Sequence, residues 1–333
     1  MEARSDHGRL RVFEPMSTLN DHGFLHMRWR DKPYPPFISR AGITTLLENW
    51  DTDEHDIFIC THQKVGTHLT KQFIVELLRS AIDYPPDNPL STGDIGHHTV
   101  AWPEVLVSQY GYGHFQEHLA RTAGMPRVWY IHCFSGDLPV RSIHPGTKFV
   151  LVFRDPRGAA VSQYFFYRSH PLLQVSDSLT MEDFVPLFVK GGLYFGDYHL
   201  HTLDWLAAEG HALPAGSLLV LRYEDLVEQK LAVTARLAAH LLPGVSLPEE
   251  RALRIAASTA FDTMKQRITD TPGSFHFNPS TFFRAGRPDD WRDRLSMDQV
   301  QAIDEKSVRV WGEGRLDCPD LSRAKTLAGY GRI

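Results

Sequence analysis

Residues 61–69, THQKVGTHL, place a lysine, a glycine and two threonines on a turn between an apolar run and a helical pattern. A helix N-terminus presents unpaired N–H groups and a partial positive charge, which suits a phosphate or sulfate. Gly66 lets the backbone wrap such an anion closely, Lys64 adds a point charge and Thr67 a hydroxyl donor. The order is not G-x-x-x-x-G-K-[ST]: here the lysine precedes the glycine, which disfavours a nucleoside-triphosphate and Mg²⁺ site. Taken alone, the pattern suits a glycine turn with a solvated lysine equally well.

Three more groups invite the same question. Arg154 follows the apolar run KFVLVF, and Ser162 comes about two turns later in a helical pattern, so a guanidinium fork and a hydroxyl could share one phosphate. His132 closes the run RVWYIH, where it is either a satisfied core residue or a general base. In FFRAGRPDDWRDRLS, Arg284 and Gly286 again pair a fork donor with a flexible backbone. Each is weak by itself, and three separated anion-binding elements in one chain carry more weight.

The elements that must position these residues read as an α/β chain. IFICTH (57–62), RVWYIH (127–132), KFVLVF (148–153) and SLLVLRY (217–223) are short apolar strand candidates. Helical patterns cover 69–82, 157–168 and 227–242. This alternation predicts a single domain with a central parallel sheet and helices on both faces. Residues 1–36 read as an N-terminal extension or lid and 37–333 as the main domain, with 83–126 and 265–290 as functional loops.

Composition excludes several classes. The formal charge of −5 argues against a broad nucleic-acid surface while permitting a local basic pocket. Three cysteines with no C-x-x-C pair argue against a disulfide framework and a zinc ribbon, and fit a reducing cytoplasm. No stretch of about 18 apolar residues occurs, so no membrane span is expected.

Together the pieces resemble the cytosolic-type sulfotransferases that use 3′-phosphoadenosine 5′-phosphosulfate (PAPS), in the same order and at compatible spacing. THQKVGTHL is similar to that family's phosphosulfate loop, TYPKSGTTW, and FRDPRGAAVSQYFFYR (153–168) to its 3′-phosphate segment. RVWYIHCFSGDLP (127–139) resembles the strand of the catalytic histidine, VLRYEDL (220–226) the YED segment, and STAFDTMK (258–265) the adenine-side segment. FFRAGRPDDWRDRLS (282–296) resembles the C-terminal RKGxxGDW signature. The resemblance implies that Lys64, Val65, Gly66, Thr67 and His68 line the 5′-phosphosulfate, that Leu69 makes an apolar contact with the adenine, and that Arg154, Ser162, Arg284, Ala285 and Gly286 line the 3′-phosphate. It implies Tyr223, Thr259 and Phe261 near the adenine or its phosphates, His132 as the base, and adenosine 3′,5′-bisphosphate as the product. No metal is called for.

The chain departs from that pattern at His68 (usually Thr or Ser), Leu69 (usually Trp) and Ala285 (usually Lys). The dimer segment K-x-x-x-T-V-x-x-x-E appears only as Arg292, Ser296, Met297 and Gln301, so a homodimer would form there without its usual residues. Aromatic candidates for a small-molecule acceptor pocket are Tyr164, Phe165, Tyr167, Trp102 and 110–112. Rival readings are a zinc site at H-x-x-E-H (114–118), a nucleotide kinase, and a nucleotide-binding scaffold without turnover.

Overall fold

A computed structural model describes residues 17–18, 24–96, 99–173, 175–270 and 286–312. Near the N-terminus, β1 (Ser17–Thr18), β2 (Leu25–Trp29) and β3 (Lys32–Tyr34) form a small antiparallel sheet that leads into α1 (Arg40–Asn49). The central sheet has four parallel strands: β4 (Asp56–Thr61), β5 (Arg127–Ile131), β6 (Lys148–Phe153) and β7 (Leu218–Arg222). Their order is β5-β4-β6-β7. Every residue of β4 and β5 is buried, as strands covered by helices on both faces require. β7, at one edge, is mostly half-buried.

The helices are α2 (Thr67–Ala81), α3 (Pro103–Tyr110), α4 (Tyr112–Arg121), α5 (Pro156–Ser169), α6 (Met181–Lys190) and α7 (Tyr198–Ala208), then α8 (Tyr223–Glu228), α9 (Lys230–Leu241), α10 (Glu249–Ser258), α11 (Phe261–Asp270) and α12 (Met297–Trp311). α2, α9 and α10 pack together, while α12 packs on α5, α6 and α7. From β6, Phe149 reaches Trp205 of α7 and Phe153 reaches Trp311 of α12, as alternation along a strand dictates.

This topology places the site. β5 lies on one side of β4, and β6 and β7 on the other, so the winding reverses at β4 and opens a crevice at the carboxyl edge. In register, Cys60 pairs with Ile131, Thr61 with Val152, and Phe153 with Arg222. The residues that leave the strands, His62, His132, Arg154 and Tyr223, therefore emerge along one edge.

Two expectations from the sequence differ from the structure. The segment 83–126 contains α3 and α4, because Pro103 starts a helix well and Phe115 supplies a buried anchor. The single helix expected over 227–242 is two, broken at Gln229 (φ −123°, ψ 46°). The break lets Leu226 of α8 bury beneath the phosphate-type loop while α9 follows α2 and α10.

The opposite edge of the sheet is tied by charge. Asp56 accepts from Arg127 Nε at 2.5 Å and from Trp129 Nε1 at 2.6 Å, and all three side chains are buried. Asp56→Ala leaves a buried guanidinium and a buried indole N–H short of a partner. The expected cost is about 3–5 kcal/mol, read as a lower urea midpoint at unchanged slope.

Candidate functional site

The loop after β4 turns by two left-handed residues, Lys64 (φ 63°) and Gly66 (φ 116°), so that α2 begins at Thr67. A positive φ at lysine is uncommon and needs support from its surroundings. That support comes from α5. Gln163 Nε2 donates to His62 Nδ1 and to the Gln63 carbonyl, each at 3.0 Å, and the Tyr167 hydroxyl donates to Gln63 Oε1 at 3.0 Å. Val65 is fully buried, and the Thr61 and Thr67 hydroxyls lie 2.9 Å apart. The Lys64 ammonium sits 4.8 Å from the centre of the Phe166 ring. His68 and Leu69 are half-buried in the first turn of α2.

Arg154 meets this loop from β6. Its Nη1 donates to the Lys64 carbonyl at 3.3 Å, and its guanidinium lies 4.2 Å over the ring of Tyr223. Tyr223 in turn rests on Gly66, where a Cβ would lie 2.9 Å from Cδ2 of the ring. Among the described residues Arg154 Nε finds no hydrogen-bond partner, and the residue is only 6% exposed. A buried cationic donor left in this state is poised for an anion.

The C-terminal loop docks beside it. Arg157 covers the Trp291 ring at 4.3 Å, and a Cβ on Gly158 would lie 2.9 Å from Arg154 Nε and 3.3 Å from the Pro288 carbonyl. Gly286 (φ 66°) abuts Phe261, where a Cβ would come within 2.6 Å of the ring. Ser162 is half-buried two turns into α5. Thr259 is buried and caps α10: its hydroxyl donates to the Ile255 and Ala256 carbonyls, and its own carbonyl accepts from Lys230. Arg284 and Ala285 lie outside the described residues. Gly158 was missed in the sequence, although the small-residue run RGAA is a signal for close packing.

His132 leaves β5 against the same edge. Its Nδ1 donates to the Thr61 carbonyl at 2.7 Å, with the Thr61 hydroxyl 3.2 Å away, which fixes the tautomer and makes Nε2 the proton-accepting nitrogen. The ring is walled by Trp102 at 4.9 Å, Phe195 at 5.5 Å and Tyr130 at 5.6 Å. Phe195 holds a strained φ of 66° and touches Tyr34 of β3 at 4.8 Å. Neither Phe195 nor Tyr34 carries a periodic or motif signal. Burial pushes the His132 imidazole down to about 3, with the Thr61 bond opposing and the nearby His62, Lys71 and Lys64 charges adding to the drop.

Of the other aromatic candidates, only Trp102 reaches His132. Tyr164 and Tyr167 belong to the core, where their hydroxyls bond the Leu179 carbonyl and Gln63. Phe165 packs half-buried against Tyr164, and the Tyr112 hydroxyl donates to the Asn49 carbonyl on the far side of α1. At H-x-x-E-H, His114 is exposed while His118 turns inward against Trp129 at 4.9 Å. Among the described residues, no cluster of three such ligands forms there or elsewhere.

The buried histidines carry a pH consequence. Burial lowers His62 to about 4 and His132 to about 3, and lowers His199 and His201 well below 6.5. Their depressed values mean that the unfolded chain binds more protons below pH ~6.5, so stability present above that pH is lost as it falls toward 4. Each histidine should contribute about 1.4 kcal/mol per pH unit in that window. Urea midpoints measured between pH 7 and 4.5 should fall steeply, and His201→Asn should flatten the slope.

A family model described as the sulfotransferase domain matches residues 54–311. Human sulfotransferase 6B1 is 24% identical over 288 residues, covering 85% of this chain and 84% of that protein. Rat sulfotransferase 2B1 is 25% identical over 286 residues, covering 84% and 78%. Among solved structures, mouse sulfotransferase SULT7A1 complexed with PAP superposes with a TM-score of 0.67 at 22% identity, covering 90% of this chain and 98% of that one. Retinol dehydratase in complex with androsterone and the inactive cofactor PAP gives 0.61 at 18% identity, covering 86% and 88%.

Proposed function

The chain belongs to the sulfotransferase domain family and is a sulfuryl-transferring enzyme; we propose that its donor is PAPS, its acceptor a hydroxyl (or amine) of a small molecule, and His132 and Lys64 its catalytic pair. The observation that supports this most is Arg154. Its buried Nε lies against Gly158, and its guanidinium covers the Tyr223 ring that rests on Gly66, so a side chain at either glycine would collide with Arg154 or with Tyr223. This crevice suits an anion distinct from the one at the head of α2, and two such anions describe a nucleotide phosphorylated at both the 3′ and 5′ positions.

Lys64, Val65, Gly66, Thr67 and His68 would hold the 5′-phosphosulfate with the N–H groups of the first turn of α2, and Leu69 would touch the adenine. Arg154, Ser162 and the Arg284–Ala285–Gly286 segment would hold the 3′-phosphate, and Tyr223, Thr259 and Phe261 would border the adenine. When bound, PAPS supplies the sulfuryl group on an activated leaving phosphate. His132 Nε2 accepts the acceptor's proton, while Lys64 and the loop amides neutralise charge on the bridging oxygen as adenosine 3′,5′-bisphosphate leaves. An anionic donor beside the His132 ring raises its basicity from the low value of the free protein, which couples the base to donor binding.

The hairpin β2–β3 packs over this side: Lys32 pairs with Asp137 at 2.9 Å, and Phe195 N–H donates to the Pro33 carbonyl at 2.7 Å. That supports residues 1–36 as an extension with a lid-like part over the acceptor and 37–333 as the catalytic domain. No helix among the described residues is long and apolar enough to cross a membrane. The free, buried thiols of Cys60 and Cys133 fit a reducing, cytoplasmic setting.

The test is release of adenosine 3′,5′-bisphosphate from PAPS across a panel of phenols, alcohols and amines. His132→Asn should lose about 10²–10⁴-fold in turnover while its affinity for adenosine 3′,5′-bisphosphate holds. Undiminished turnover in that variant would remove His132 from the mechanism.

A further inference from the structure

Among the described residues, four buried polar atoms short of well-formed hydrogen bonds gather around a single ring next to His132. They are Lys71 Nζ, both carboxylate oxygens of Glu104 and Trp102 Nε1. Lys71 is 0% exposed, Glu104 1% and Trp102 7%. The ring is Tyr130: Lys71 Nζ lies 3.5 Å from its centre, and Trp102 lies 5.3 Å from it while also touching His132 at 4.9 Å. The Glu104 charge bears on Tyr130 and on Cys133, the residues that bracket His132.

Folded proteins leave few buried polar groups unsatisfied, and a cluster of them needs a cause. Burial lifts the Glu104 carboxyl to about 8 and drives the Lys71 ammonium well below its usual value, against the weak support of Asp94. Among the described residues, Glu104 is met by the Trp102 side chain and Lys71 by the Tyr130 ring, and neither has an ion-pair partner. A hydroxyl can donate to a carboxylate and accept from an amine at once, so one such group satisfies both.

We propose that Glu104 and Lys71 form the polar end of the acceptor pocket and select acceptors carrying a second hydroxyl beside the nucleophilic one. This rests on the sulfuryl-transfer reading with His132 as base. Trp102, which touches both His132 and Tyr130, joins the reacting end to the polar end. An acceptor without the second hydroxyl leaves the buried groups unpaired, and sites built to bond a hydroxyl discriminate strongly against analogues that lack it.

The experiment uses the full chain and matched acceptors: 4-(2-hydroxyethyl)phenol against 4-ethylphenol, and catechol and resorcinol against phenol. Two quantities are read for each pair: the ratio of kcat/KM with PAPS, and the ratio of Kd by calorimetry with adenosine 3′,5′-bisphosphate present. The wild type should favour the dihydroxy member of at least one pair by about tenfold or more. Glu104→Leu and Lys71→Met should each collapse that ratio toward one. Glu104→Gln, nearly isosteric and still able to bond a hydroxyl, should keep part of it and serves if the leucine variant does not fold. Ratios near one in the wild type for every pair, or ratios unchanged in the variants, overturn the proposal and leave the cluster as a hydrated structural site. If no acceptor turns over but the Kd ratio depends on Glu104, the pocket stands and the sulfuryl-transfer reading fails.

Discussion

The carboxyl edge of the sheet depends on how closely Tyr223 can approach Gly66. With no Cβ in the way, the ring lies flat enough on the turn to serve as the floor for Arg154, whose guanidinium stacks 4.2 Å above it. Arg154 then reaches back to the Lys64 carbonyl and supports the left-handed lysine. Loop, arginine and ring thus form one unit contributed by β4, β6 and β7. Gln163 and Tyr167 fasten it from α5 and so hold the loop that leads into α2.

His132 follows a different logic. It is buried among aromatic rings, held in one tautomer by the Thr61 carbonyl, and kept neutral by desolvation. Nε2 is left as the acceptor nitrogen, but the burial that keeps the ring neutral also makes it a weak base in the free protein. In the proposed mechanism, an anion held by the neighbouring unit would raise that basicity. Burial is the largest cause of the ring's low basicity, and the nearby His62, Lys71 and Lys64 charges add to it.

Much of this was legible in the sequence because strand ends and helix starts are local features. The runs IFICTH, RVWYIH, KFVLVF and SLLVLRY mark the strands to within a residue or two, so His132, Arg154 and the loop at 61–69 could be placed on one edge from the alternation alone. What the sequence did not reveal are long-range packing partners. Phe195 reaches His132 from a segment with no motif and is itself met by Tyr34 of β3, and Gly158 matters only because Arg154 folds back over it. The aromatic run 164–167 looked like a pocket lining, yet Tyr164 and Tyr167 face the core, since aromatic content says nothing about which helix face is buried. His68 and Leu69 occupy the first turn of α2, half-buried.

The central claim is that one crevice holds a nucleotide with phosphates at both ends. Calorimetry of the full chain with adenosine 3′,5′-bisphosphate, adenosine 5′-monophosphate and ATP tests it directly. The bisphosphate should bind about tenfold or more tightly than the monophosphate, as one charge-assisted site would provide, and Arg154→Ala should erase the difference. Equal affinity for the two adenosine phosphates, or tighter binding of ATP, would contradict it.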